Sequence, residues 1–330
     1  MRRRVLLTGL VGAMAASAVR AIAAEKTYRL AFVSPSLPPK EMSDVGLLHS
    51  FFKELRRLGY IEGENLVILR FSARGDPTRY DSTIGDVIRA APDVVVTANN
   101  PLVLRFKALM KSTPIVALMG DPVAWGIVES LAHPGGNITG ISADAGEEIW
   151  GKRLAMLVEA FPSAKRVGFL CTTSFWNSPQ GSTVREAAQK ASVTLVVPPL
   201  QGVYEEPEYR RVFNELQRQD AEVLLVSDAS ENLAHTRLIV DLVQQARLPA
   251  LYPYREFMTI GGLMAYAIDV QDMFARAARY ADLILKGTKP EQIPVYQADK
   301  FSTIINLKTA KTLSVTIPPT LLARADEVIE

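Results

Sequence analysis

From Tyr28 onward the chain alternates short apolar runs with segments of helical periodicity, and this alternation restricts the fold more than any other feature. Tyr28-Arg29-Leu30-Ala31-Phe32-Val33 reads as a strand, halted by Ser34-Pro35-Ser36-Leu37-Pro38-Pro39. Leu48, Phe51, Phe52, Leu55 and Leu58 then recur at helical spacing until Gly59 closes the helix. Further strands are predicted over 65–71, 93–97, 114–119, 166–171, 193–197, 222–227 and 250–252, with helices between them. The runs Val94-Val95-Val96 and Ile115-Val116-Ala117-Leu118 lack polar alternation, as strands covered by helices on both faces do. Such an order argues for parallel sheets with right-handed crossovers. Roughly nine strands divide better between two sheets than along one, and the Pro/Gly-rich stretch near 134–140 is the expected joint. A long helix follows over 270–286 and stops at Lys286-Gly287, with Pro290 just beyond. The tail, with a helix over 307–313, fits either sheet.

The N-terminus has the layout of an export signal. Arg2, Arg3 and Arg4 precede an apolar core, Val5 to Ala16, and small residues around Ala21 to Ala24 predict cleavage near Ala23 or Ala24. That core is too short for a stable membrane span. No Cys follows it, so no lipid anchor is expected, and Arg3-Arg4 leaves Sec and twin-arginine export both open. Loss of residues 1–24 removes four arginines and no acid, which turns a formal charge of +2 into −2, with 33 basic against 35 acidic residues. The mature chain thus lacks the basic excess that phosphate binding needs, and nucleic acid is not an expected partner. One cysteine, Cys171, forms no internal disulfide, and His49, His133 and His235 stand in no metal-ligand spacing. Neither a metal nor a cofactor is expected.

In open parallel sheets ligands gather beyond the carboxyl ends of the strands. Those ends carry many polar groups here: Ser34 and Ser36, Asn99 and Asn100, Asp121, Thr172 with Thr173 and Ser174, Ser227 with Asp228, and Tyr254 with Arg255. They suit a polar ligand, although the same residue types serve as ordinary helix caps and turn formers. Phe175, Trp176, Tyr254 and Tyr266 sit near such ends and suit stacking on an apolar or aromatic solute, or packing between loops. Phosphate loops and the Gly-x-Ser-x-Gly elbow are missing, and the pairs Glu147-Glu148 and Glu205-Glu206 read as solvated first turns of helices. The chain is therefore expected to bind rather than to catalyse.

The stretch Gly120-Asp121-Pro122-Val123, followed by Gly126-Ile127-Val128-Glu129-Ser130-Leu131-Ala132-His133-Pro134-Gly135-Gly136-Asn137-Ile138-Thr139-Gly140, resembles the TrpX-like family of ABC transporter substrate-binding proteins. Gly261-Gly262-Leu263-Met264-Ala265-Tyr266, Ile284-Leu285-Lys286-Gly287 and Ile317-Pro318-Pro319-Thr320-Leu321-Leu322 extend the likeness over essentially the whole mature chain. The resemblance implies an α/β type I periplasmic-binding fold, in which two Rossmann-like lobes with parallel sheets are joined by a three-crossover hinge. It places lobe 1 at 25–141 plus 262–292 and lobe 2 at 142–261 plus 293–330. It also implies a periplasmic, monomeric protein that takes up amino acids or aromatic compounds and hands them to an ABC permease. Positions matching the family are Asn100, Asp121, Asp228 and Tyr266. Cys171-Thr172-Thr173-Ser174-Phe175-Trp176-Asn177 and Ala267 depart from its pattern near the expected cleft, so no relative's ligand carries over. A ligand sensor facing a receptor, or a periplasmic α/β enzyme, are the competing readings.

Overall fold

A computed structural model describes residues 26–44, 46–143 and 148–330; the expected leader, 1–24, lies outside them. Thirteen strands are found among the described residues: β1 Tyr28–Ser34, β2 Leu66–Ser72, β3 Val94–Ala98, β4 Ile115–Met119, β5 Ile138–Ser142, β6 Arg166–Leu170, β7 Thr194–Val196, β8 Val223–Val226, β9 Ala250–Tyr254, β10 Met264–Ile268, β11 Tyr296–Gln297, β12 Phe301–Asn306 and β13 Glu327–Ile329. They build a six-stranded sheet in the order β11-β5-β4-β3-β1-β2 and a seven-stranded sheet in the order β13-β12-β10-β9-β8-β6-β7. Every pair of the first sheet is parallel. In the second only β10 and β12 run antiparallel.

Side-chain alternation explains why both faces of each sheet are dry. On β1, Leu30 and Phe32 join one core, while Ala31 and Val33 join another on the opposite face. Val94 and Val96 of β3 separate from Val95 in the same way. The first of these cores is continuous across both sheets, reaching Tyr252 and Tyr254 of β9. A further core lies under helices Glu148–Ala160 and Pro179–Lys190 on the far face of the second sheet. Cys171 is buried there as a free thiol, and its surroundings push its pKa well up by desolvation.

The chain passes between the sheets three times. The first passage follows β5, so Ile138–Ser142 is a strand of the first sheet and not the joint expected near 134–140. Its Gly140 explains the disguise. With φ at +152°, a Cβ there would lie 1.9 Å from the Ala117 carbonyl oxygen of β4, so only glycine fits. The second passage is at Asp269, whose carboxylate accepts the Asp272 N–H (2.9 Å) and starts helix Val270–Leu285. That helix packs on β3, β4 and β5 and on helix His49–Arg57 through Met273, Phe274, Ala277, Ala278 and Ala281. The third lies between β11, paired with β5, and β12, paired with β10. The boundaries expected at 262 and 293 therefore shift. Met264–Ile268 belongs to the second sheet, and Tyr296–Gln297 belongs to the first.

Candidate functional site

Each sheet has one place where neighbouring strands lead their chains in opposite directions, between β1 and β3 in the first and between β6 and β8 in the second. A crevice must open at such a place, because the following loops diverge. The residues after these four strands meet across the two lobes around a cavity of about 140 Å³. Ser34, Asn99, Asn100, Thr172, Asp228 and Tyr254 all line it.

The first lobe supplies capped backbone. Ser34 Oγ accepts the N–H groups of Ser36 (3.2 Å) and Leu37 (2.8 Å), which turns the chain away from β1. Asn99, held at φ +80°, accepts the Leu102 N–H through Oδ1 (3.0 Å) and caps helix Asn100–Leu109. Asn100 Oδ1 accepts the Gly120 N–H at 2.8 Å. A Cβ on Gly120 would come within 2.8 Å of Gln180 Nε2 and 3.1 Å of Asn100 Nδ2, so this wall is a close meeting of the lobes.

The second lobe supplies the charges. Asp228 faces the fully buried Arg153 at 3.3 Å, and Tyr254 donates its hydroxyl to the Asp228 carbonyl at 2.5 Å. Desolvation holds the Asp228 carboxyl above its usual range, against the pull of Arg153. Glu231 is 1% exposed, and burial pushes its carboxyl up to about 7. Its neighbours are neutral: Asn99 Nδ2 donates at 2.6 Å from the other lobe, and Ser230 Oγ at 3.2 Å. Thr172 Oγ1 caps a short helix at Phe175 N (3.2 Å) and touches Ser174 Oγ (3.0 Å). Two more bonds cross between lobes, Trp125 Nε1 to Gln180 Oε1 (2.5 Å) and Tyr204 N to Gly75 O (2.8 Å). The lobes are thus closed on one another.

Other expected residues stand elsewhere. Ser36 is buried beside a groove outside the cavity, with Arg74, Tyr204 and His235. Asp121 Oδ1 accepts from Val123 and Ala124 (3.0 Å each) and serves its own turn. Trp176 packs on Phe169, with the Arg185 guanidinium 4.6 Å over its ring, while its neighbour Phe175 turns into the cavity wall. Tyr266 stacks on Phe301 (5.2 Å, 12°), because strand alternation sends it to the outer face of the second sheet. Arg255 pairs with Glu327 of the same lobe. Sequence reasoning missed Trp125, Gln180, Glu231 and the apolar floor of Phe32, Met273 and Phe274. Gln180 and Glu231 occupy first turns of helices, where a polar side chain ordinarily meets water. Glu231 is marked by its position about one turn beyond the end of β8 at the switch point, whereas Gln180 lies past the short helix Thr173–Trp176 and carries no such signal.

Comparison with known proteins agrees with this architecture. A tyrosine-binding protein of Clostridioides difficile (strain R20291) is 26% identical over 267 residues, 80% of this chain and 75% of the relative. A conserved domain protein from Vibrio cholerae O1 biovar El Tor shares the fold with a TM-score of 0.78 and 22% identity, covering 92% of this chain and 100% of that one. A Streptococcus ABC domain solved in complex with L-Trp gives 0.75 and 21%, again over 92% and 100%. The periplasmic-binding fold of type I is thereby shown. Residues 46–329 match the family described as ABC transporter substrate binding protein, and the chain belongs to that family.

Proposed function

We propose that the mature protein works in the periplasm as a monomer, closes over a small organic solute with an aromatic-sized apolar body, and presents the closed form to an ABC permease in the inner membrane. The observation that carries this reading is the inter-lobe cavity. Phe32, Trp125, Phe175, Tyr254 and Phe274 surround it, and the polar groups sit at the two switch points. Aromatic and apolar walls with a few placed polar groups are the usual make-up of a small-molecule site. The tyrosine- and tryptophan-binding relatives support an aromatic amino acid as the solute. Export is supported by the N-terminal layout and by the family, whose members act outside the cytoplasm.

Closure captures a solute only if the solute binds the closed arrangement better than the open one. Residues from both lobes must therefore touch it: Asn99, Asn100 and Ser34 from one side, Thr172, Asp228 and Tyr254 from the other. Titration of residues 25–330 with L-tyrosine and L-tryptophan, followed by thermal melting, tests the proposal. A ligand at about a hundred times its Kd adds about 2.7 kcal/mol, so the midpoint should rise by roughly 5 °C or more. An unmoved midpoint across a panel of aromatic amino acids and aromatic acids would rule out the aromatic solute.

A further inference from the structure

The charges around the cavity are one-sided. Asp228 and Glu231 line it, and among the described residues no Lys, Arg or His does. Two guanidinium groups stand outside the lining: Arg153 meets Asp228 through Nη1 at 3.3 Å, with Nε and Nη2 buried and unpartnered, and Arg255 faces Glu327. Helix Asn100–Leu109 starts at the cavity and would be the natural host for an anion. Its donors are largely used up. Pro101 has no N–H, the Leu102 N–H goes to Asn99 Oδ1, and the Val103 N–H goes to Asn99 O. Glu231, by contrast, has capacity to spare. A carboxylate offers about four acceptor positions; Asn99 and Ser230 fill two of them and its own backbone N–H a third. It is a buried acid with neutral partners only, at the wall of an apolar chamber.

We infer that the solute carries an ammonium or a comparable cationic group which Glu231 receives, and that the cavity discriminates against molecules whose only charge is a carboxylate. This rests on the cavity being the solute site. An entering ammonium would form a charge-assisted hydrogen bond to Glu231, while an entering carboxylate would face Asp228, already paired with Arg153, and Glu231, with no cation at the wall itself. A zwitterion is admitted because its own carboxylate can turn to the neutral donors Asn100, Thr172 and Ser174.

Two matched pairs test the inference by calorimetry on the mature chain: tyramine against phloretate, which share a phenol and a two-carbon arm, and isoamylamine against isocaproate, which share a branched aliphatic body. A charge-assisted bond is worth about 1.5–3 kcal/mol, so each amine should bind at least about tenfold more tightly than its acid. Glu231→Gln preserves shape and the bond from Asn99, and should erase that preference; its melting curve reports whether the fold is intact. Preference for the amine in the aliphatic pair alone would uphold the charge inference and discard the aromatic body. Equal or tighter binding of either acid, an amine preference that survives in E231Q, or failure of both amines to bind would overturn it.

Discussion

Glu231 stands at the second position of a short helix, a place where a carboxylate ordinarily enjoys solvent and the helix dipole. Closure of the opposite lobe removes the solvent, and burial takes the carboxyl from 4.5 to about 7. The sign of the consequence is fixed. An acid with a raised pKa leaves the ligand-free closed form at full stability below 4.5, and that stability is lost as pH climbs through about 7. The groups facing it do not compensate. Asp228 is itself raised by burial, and the hydroxyls of Tyr80, Tyr204 and Tyr209 stay protonated because burial pushes them far above neutrality. His235 turns its Nδ1 to the Glu231 carbonyl oxygen at 2.9 Å. Melting of the ligand-free protein should therefore drop by several degrees between about pH 5 and pH 8, and E231Q should flatten that slope. An equal slope in both proteins would count against the buried-acid account. The sequence exposes Ser34, Asn99, Thr172 and Asp228 as cavity-wall candidates because they end strands at switch points. It hides Glu231 because burial there depends on the other lobe, some 130 positions away in the chain from Asn99, a pairing no local pattern reports. Asp121 and Tyr266 mislead for a related reason: a strand end or turn sets a side chain's neighbourhood, but alternation and local capping decide its direction.

At the level of elements, two glycines make opposite predictions. Gly140→Ala places a Cβ against the Ala117 carbonyl in the middle of the first sheet, so β5 must leave β4 or the backbone must shift. A loss of about 3 kcal/mol or more is expected, seen as poor soluble yield or a fall in melting temperature of roughly 6 °C or more. Gly151→Ala, in helix Glu148–Ala160 with nothing within 4 Å of the added carbon, should instead stabilise by about 0.4–1 kcal/mol. Denaturant unfolding of the two variants separates them. The same glycine chemistry explains how far the elements could be read. Long apolar runs such as β3, β4 and β8 and helix Val270–Leu285 were plain from composition and period. Strand β5 was obscured by glycine and threonine. Strands β11 and β13, with two and three residues, are too short for any period and exist because a neighbour's edge is there to pair with.

For the molecule as a whole, the hydrogen bonds across the closed cleft among the described residues include Asn99 to Glu231, Trp125 to Gln180 and Tyr204 to Gly75, beside the apolar core shared by the two sheets. A solute that prefers the closed form moves the balance between open and closed populations. Trp125 lies at that junction, whereas Trp150 and Trp176 pack in the outer core of the second lobe. Tryptophan emission should therefore change when L-tyrosine is added to the native chain and stay unchanged in Trp125→Phe. A full response in W125F would place the movement elsewhere.

The three passages also impose an order of assembly. Edge strand β11 and the helix Val270–Leu285 reach the first sheet only after every residue through β10 has been synthesised. Until then one face of β3, β4 and β5 lacks the helix that dries it, and the second sheet waits in turn for β12 and β13, so neither half is complete before the last part of the chain is made. A chain cut before Val270 should accordingly be degraded by a protease that spares the intact protein. A nascent polypeptide with this layout cannot close either of its two sheets until its synthesis is nearly finished.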